Sequence, residues 1–106
     1  MSDEQAAGEG TRKHASLRPP ANTSGERPLS IAITYCVPCQ FTARATWVAQ
    51  ELLLTCADYI SGLTLVPGSG GVFEVTVNGE QVFSRKEAGR YPELRELKEE
   101  INKLLE

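Results

Sequence analysis

Leu29-Ser-Ile-Ala-Ile-Thr-Tyr35, followed at once by Cys36-Val-Pro-Cys39, is the stretch on which the fold of this chain turns. Leu29, Ile31, Ile33 and Tyr35 alternate with smaller residues, the two-residue period of a strand with one buried face. Beyond the C-x-x-C pair the period lengthens. Phe41, Ala45, Val48, Leu52 and Cys56 recur at three- and four-residue steps, as on an amphipathic helix. A strand that runs through C-x-x-C into a helix sets two sulfurs at one end of a sheet. The two intervening residues bring them within disulfide reach. A helix N-terminus, with its unpaired N–H groups and positive dipole end, stabilises a thiolate and lowers the pKa of a thiol there. Pro38 fixes φ and suits a first helical turn. On this reading Cys36, at the strand end, is the more exposed thiol, and Cys39 lies inside the first turn of the helix.

Cys36 and Cys39 are therefore the candidate catalytic residues. A low-pKa attacking sulfur beside a resolving one is what thiol–disulfide exchange needs. Zinc is the competing use of a C-x-x-C, but a structural zinc site takes a tetrahedral set of ligands. The remaining candidates are Cys56, on the apolar helical stripe, and His14, far from the pair in sequence. Cys56 is expected to be a core filler, because free Cys packs as a small hydrophobe. No metal or resident cofactor is expected.

Downstream, residues 58–62 are expected to end the helix, and residues 63–66 to form a short second strand stopped by Pro67-Gly-Ser-Gly-Gly71. That glycine run precedes a strand and has no Lys after it, so it reads as a turn rather than a phosphate loop. Residues 72–77 form a third strand. Asn78-Gly79 is a strong hairpin signal, since a type I′ turn needs positive φ at both central residues. Residues 81–84 return, with Val75 expected opposite Val82. Arg85-Lys86-Glu87 is expected to be a solvated connector. The last helix is expected to begin with Pro92 at its first position and to bury Leu94, Leu97, Ile101 and Leu104. Trp47 lies off the main stripe of the first helix and is expected to pack on the second helix or on the N-terminal segment. The predicted order is β-α-β-β-β-α. It is an α/β fold with one mixed four-stranded sheet and two helices, its first two strands parallel across a right-handed crossover.

Residues 1–28 differ from the rest. Their large apolar residues are only Met1 and Leu17, and four basic side chains (Arg12, Lys13, Arg18, Arg27) balance four acidic ones (Asp3, Glu4, Glu9, Glu26). Such a segment buries too little apolar surface to offset its ordering entropy, so a disordered tail is expected there and a folded domain over residues 29–106. The whole chain has 106 residues and a formal charge of −3, which gives no basic surface for nucleic acid. Its sequence shows no apolar run of membrane length and no secretory signal. Three cysteines, an odd number, do not make a secreted disulfide scaffold. A cytoplasmic protein without nucleic-acid or membrane partners is expected.

Four ordered segments resemble one known family: Ile33-Thr-Tyr-Cys-Val-Pro-Cys39, Arg44-Ala-Thr-Trp-Val-Ala-Gln-Glu-Leu-Leu53, Val66-Pro-Gly-Ser-Gly-Gly-Val-Phe-Glu-Val75, and Phe83-Ser-Arg-Lys86 with Gly89-Arg-Tyr-Pro92. Together they look like the SelT/SelW/SelH selenoprotein family, also called the Rdx family, and most closely its selenoprotein W-like members. The resemblance implies a thioredoxin-like fold and a thiol redox role, with glutathione as a co-substrate and with thioredoxin-type thiols or redox-regulated proteins as partners. In selenocysteine-bearing members the selenium stands where Cys39 stands here, so the chain resembles a cysteine-containing homologue. The analogy with thioredoxins favours Cys36 as first nucleophile toward disulfides, and the selenium placement favours Cys39 for glutathione. Ordinary thioredoxins carry a cis-proline before the third strand, where this chain has Gly70-Gly71. Two other functions share the same residues: a binding module switched by the Cys36–Cys39 state without turnover, and a metal-binding domain.

Overall fold

The computed structural model describes Pro19 and residues 21–105. Strand β1 (Leu29–Cys36) leads through a turn into helix α1 (Thr42–Cys56), and a 3₁₀ turn (Ala57–Tyr59) joins α1 to strand β2 (Ile60–Gly68). Strands β3 (Phe73–Val77) and β4 (Glu80–Ser84) form a hairpin, followed by a short helix α2 (Arg85–Ala88) and the longer helix α3 (Leu94–Leu104). The strand order is β2-β1-β3-β4. β1 and β2 are parallel, and the β1–β3 and β3–β4 pairs are antiparallel. This is the mixed four-stranded α/β arrangement that the alternation and the Asn-Gly turn predict.

Register explains the core. Ile31 faces Leu63 and Val77 across its two neighbours, and Ile33 faces Leu65 and Val75. Residues paired across a sheet share a face, so these side chains make one apolar surface. α1 packs on β1 and β2 and meets α3, which also packs on β4. Val48 and Leu52 from α1, with Leu97 and Ile101 from α3, are buried in that layer. Removing such side chains from water is worth about 1.5–3 kcal/mol each, which is what joins the helices to the sheet. No helix of the described residues is long and apolar enough to cross a membrane.

Several details differ from the sequence expectations, each for a local reason. β2 is nine residues long rather than four. Its start, Ile60–Gly62, pairs with Leu29 and Ser30 across a bulge, and the Ser61 hydroxyl donates to the Leu29 carbonyl at 3.0 Å. Pro67 fits in this strand because β2 lies at the sheet edge, where a missing donor is tolerated. In the hairpin, Asn78 and Gly79 take φ of 54° and 83°, as a type I′ turn requires. Val75 nevertheless faces Phe83, not Val82, because a bulge in the β3–β4 ladder takes up one residue. Where a connector was expected, Arg85–Ala88 winds into α2 and stops at Gly89, whose φ is 74°.

Pro92 is buried but precedes α3. Glu93 caps the helix in its place, and its backbone N–H donates to Glu96 Oε1 at 2.8 Å in a capping box. Leu104 is 43% exposed, so the buried stripe is Leu97 and Ile101 with Leu94 half-buried. Within the stretch read as a tail, Asn22 Nδ2 donates to the Asp58 carbonyl at 2.6 Å and Arg27 Nη1 to that of Ala57 at 2.6 Å. These bonds reach the segment that ends α1. Most of the stretch, residues 1–18 and residue 20, lies outside the described residues.

The same cap makes a pH-dependent element. Arg90 donates to both carboxylate oxygens of Glu96, at 2.6 and 3.1 Å. The Arg90 hydrogen bond, helped by the backbone N–H of Glu93, holds the Glu96 carboxyl below its ordinary range. A carboxylate with a lowered folded-state pKa stabilises the fold above its unfolded pKa and loses that effect as pH falls through the folded one. Wild type should therefore melt above Arg90→Gln near neutral pH. The gap should close as pH falls below the normal carboxylate range, and thermal unfolding followed by circular dichroism across pH reads this directly.

Candidate functional site

Cys36 closes β1 and is 1% exposed. Its backbone N–H donates to the Val72 carbonyl at 2.8 Å, and that of Val37 to the Gly68 carbonyl at 2.9 Å. The β2–β3 connection is thus bonded to the start of the motif. A Cβ at Gly68 would lie 3.0 Å from Val72 Cγ1 and 3.3 Å from Thr34 Cγ2, a tight fit to which those side chains would have to adjust. The Pro67–Gly71 run thus serves as the connection bonded to the motif.

After Cys36 the chain turns before it becomes helical. The Gln40 N–H donates to the Val37 carbonyl at 2.9 Å. Val37-Pro38-Cys39-Gln40 is therefore a β-turn with Pro38 at its second position, where proline is favoured. Gln40 has a φ of 65°, a left-handed conformation that a side chain adopts at a cost. It redirects the chain so that the Phe41 N–H donates to the Cys36 carbonyl at 3.2 Å, and α1 begins at Thr42. Cys39 therefore stands in a turn ahead of the helix, not inside its first turn.

Cys36 and Cys39 form a disulfide with Cα atoms 5.3 Å apart. The structure brings the two predicted site residues together and reverses their expected exposure. Cys39 is exposed on the turn, and Cys36 is buried. The physical reason is the β2–β3 connection bonded across the end of β1, which residue periodicity within β1 could not reveal.

Beside the pair lies an aromatic cluster. Phe41, Phe73 and Tyr91 meet edge to face with ring centroids 5.2 to 6.3 Å apart. The Arg44 guanidinium lies 4.0 Å above the Tyr91 ring centroid. Arg85 lies 5.1 Å from the same centroid and 5.2 Å from that of Phe41. A groove of about 540 Å³ is lined by Gln40, Ala43, Arg44, Trp47 and Tyr91. Trp47 is 47% exposed on its wall, and the N-terminal segment expected as one of its two packing partners lies mostly outside the described residues. Arg44 and Tyr91 went unrecognised as site residues in the sequence, and Arg85 was weighed there only as a solvated connector or a basic flank to the thiols. The one hint was their place in segments that match the family pattern, with no local motif to mark them.

Cys56 is buried at the end of α1 as a free thiol, and burial pushes its pKa up. A raised pKa keeps it protonated and a poor nucleophile. Cys56→Ala should cost on the order of 1 kcal/mol through lost packing, measured by urea unfolding. Its exchange rate with a small disulfide should match wild type. Among the described residues, no group of three or more His, Cys, Asp or Glu is placed to hold a metal ion.

The sequence model of the Rdx family matches residues 30–103. Among solved structures, the selenoprotein W-related protein from Vibrio cholerae superposes with a TM-score of 0.71 at 38% identity, covering 74% of this chain and 98% of that one. A protein from Bordetella parapertussis superposes with a TM-score of 0.68 at 45% identity, covering 72% and 96%. Migration and invasion enhancer 1 from Bos taurus is 33% identical over 87 residues, which are 80% of this chain and 72% of that protein.

Proposed function

Because the chain belongs to the Rdx family and has a selenoprotein W-like, thioredoxin-like fold, we propose that it is a thiol–disulfide redox protein working through Cys39 and Cys36. The observation that carries this reading is the asymmetry of the pair: one sulfur on an exposed turn, the other buried directly behind it. In the reduced protein the Cys39 thiolate attacks one sulfur of a disulfide RS–SR. The S–S bond breaks, RS⁻ leaves, and a Cys39–S–SR mixed disulfide forms. The Cys36 thiolate then attacks the Cys39 sulfur, forms the Cys36–Cys39 disulfide and releases the second RS⁻. The two protons of the cysteine thiols end on the two RS⁻ groups, so one disulfide is reduced as the pair is oxidised by two electrons.

Return to the dithiol needs an external thiol. The family resemblance supports glutathione or a thioredoxin-type protein, and a reducing compartment such as the cytosol is where that supply exists. The test is equilibration of the protein in defined mixtures of reduced and oxidised glutathione, with mass spectrometry after acid quench. The expected result is a reversible loss of two hydrogens assigned to Cys36 and Cys39, and turnover when glutathione is kept reduced enzymatically. Reversible oxidation without turnover would favour the switched binding module. A pair that stays unreactive and copurifies with zinc would favour the metal-binding reading.

A further inference from the structure

The groove beside Cys39 has a chemical character that the redox reading alone does not explain. Arg44 and Arg85 both lie against Tyr91. Among the described residues the ion pairs involve Arg90, Arg95 and Lys103, and none of them includes Arg44 or Arg85. A guanidinium placed over an aromatic ring, as Arg44 is at 4.0 Å from the Tyr91 centroid, is steadied there and still has N–H groups to offer an anion. Arg85 Nε is buried with no hydrogen-bond partner, and a buried donor without an acceptor leaves a polar interaction unmade. Gln40, the residue after Cys39, lines the groove together with Arg44 and Tyr91. The positive site is local, since the whole chain carries a charge of −3.

From this arrangement we propose that the Gln40–Arg44–Tyr91 groove is a carboxylate-binding subsite. It selects small disulfides that carry carboxylate groups and holds them with a sulfur at Cys39. The inference rests on the redox reading above and assigns its substrate class. Arg44 is the residue that contacts the carboxylate. Arg85, 5.1 Å from the Tyr91 ring centroid, adds positive potential nearby. Trp47 gives the groove an apolar wall. The covalent step is the exchange already written, in which Cys39 gains the carboxylate-bearing half and the other half leaves as a thiolate.

Three disulfides of similar size and different charge test this: dithiodipropionate with carboxylates, bis(hydroxyethyl) disulfide without charge, and cystamine with ammonium groups. Oxidation of the reduced protein is followed by quenched mass spectrometry. Each rate is divided by that of a free cysteine peptide with the same reagent, which removes intrinsic reactivity. The expected order is carboxylate, neutral, cationic, with the first at least about tenfold above the second at low ionic strength and the preference shrinking with added salt. Arg44→Gln should lower the carboxylate-to-neutral ratio about fivefold, the effect of one exposed ion pair, while Arg44→Lys should retain most of it. A wild-type ratio near one, a ratio indifferent to salt, or an unchanged ratio in folded Arg44→Gln would overturn the subsite. The redox reading fails separately: in that case wild type reacts with none of the three faster than the free peptide does.

Discussion

Cys36→Ser, reduced and then exposed to oxidised glutathione near neutral pH, should accumulate a stable mixed disulfide on Cys39, and Cys39→Ser should accumulate almost none. Exchange requires the incoming disulfide to approach a sulfur along the line of the breaking bond. Cys39 on its exposed turn permits this. Cys36, 1% exposed and closed in by the β2–β3 connection, does not. For Cys36 to react first, the connection that accepts the Cys36 and Val37 N–H bonds must open. A local opening of about 3 kcal/mol, well inside the range of sub-global fluctuations, slows such a reaction by roughly a hundredfold. Whole-protein mass spectrometry over a time course gives both rates. Comparable labelling of the two variants would mean that the covered position of Cys36 does not govern its chemistry, and the assigned order of attack would have to be abandoned.

Phe73→Ala is the second substitution with a large expected effect. Phe73 is fully buried, pairs with Tyr35 at the end of β1, and touches the rings of Phe41 and Tyr91. Loss of a buried phenyl costs about 3–5 kcal/mol, part from lost transfer and part from the cavity left behind. That is a large share of the 5–15 kcal/mol or so that a domain of this size has in total. The melting temperature should fall by more than about 10 °C, as read by circular dichroism. The aromatic cluster is also the support of Arg44, so any Phe73→Ala protein that stays folded at low temperature should show a weakened preference for carboxylate-bearing disulfides. A fall of only a few degrees would show that the surrounding helices and strands can collapse into the space.

What the residue pattern disclosed, and what it withheld, divides by the range of the interactions. The alternation in β1, the stripe of α1 and the Asn78-Gly79 turn depend on neighbours close in sequence, so each could be recognised from local period and turn chemistry. The C-x-x-C pair was legible for the same reason. The direction in which each sulfur faces was not, because it depends on residues 68–72 bonding across a distant strand end. The stacking of Arg44 on Tyr91 joins the first turn of one helix to the loop before another, and no periodicity records that meeting. The bulge opposite Val75 escaped notice because a turn sets the ideal register but not its later interruption. Helix α2 has only four residues, too few to show a stripe.

The order of strands in the sheet also has a consequence for synthesis. β1 lies between β2 and β3, and it is made before either. β1, α1 and β2 form a contiguous unit that can assemble as soon as Gly68 has left the ribosome. At that moment the other edge of β1, carrying Ile31 and Ile33, still lacks the hairpin that will pair with it. Helix α3, which supplies Leu97 and Ile101 to the same apolar face, is made last of all. The nascent chain therefore passes through a stage with an open strand edge and an uncovered core, the combination that invites pairing with other chains. The hairpin's tight Asn-Gly turn shortens that stage, because its two strands can pair with each other as they emerge and then dock on β1 as one piece.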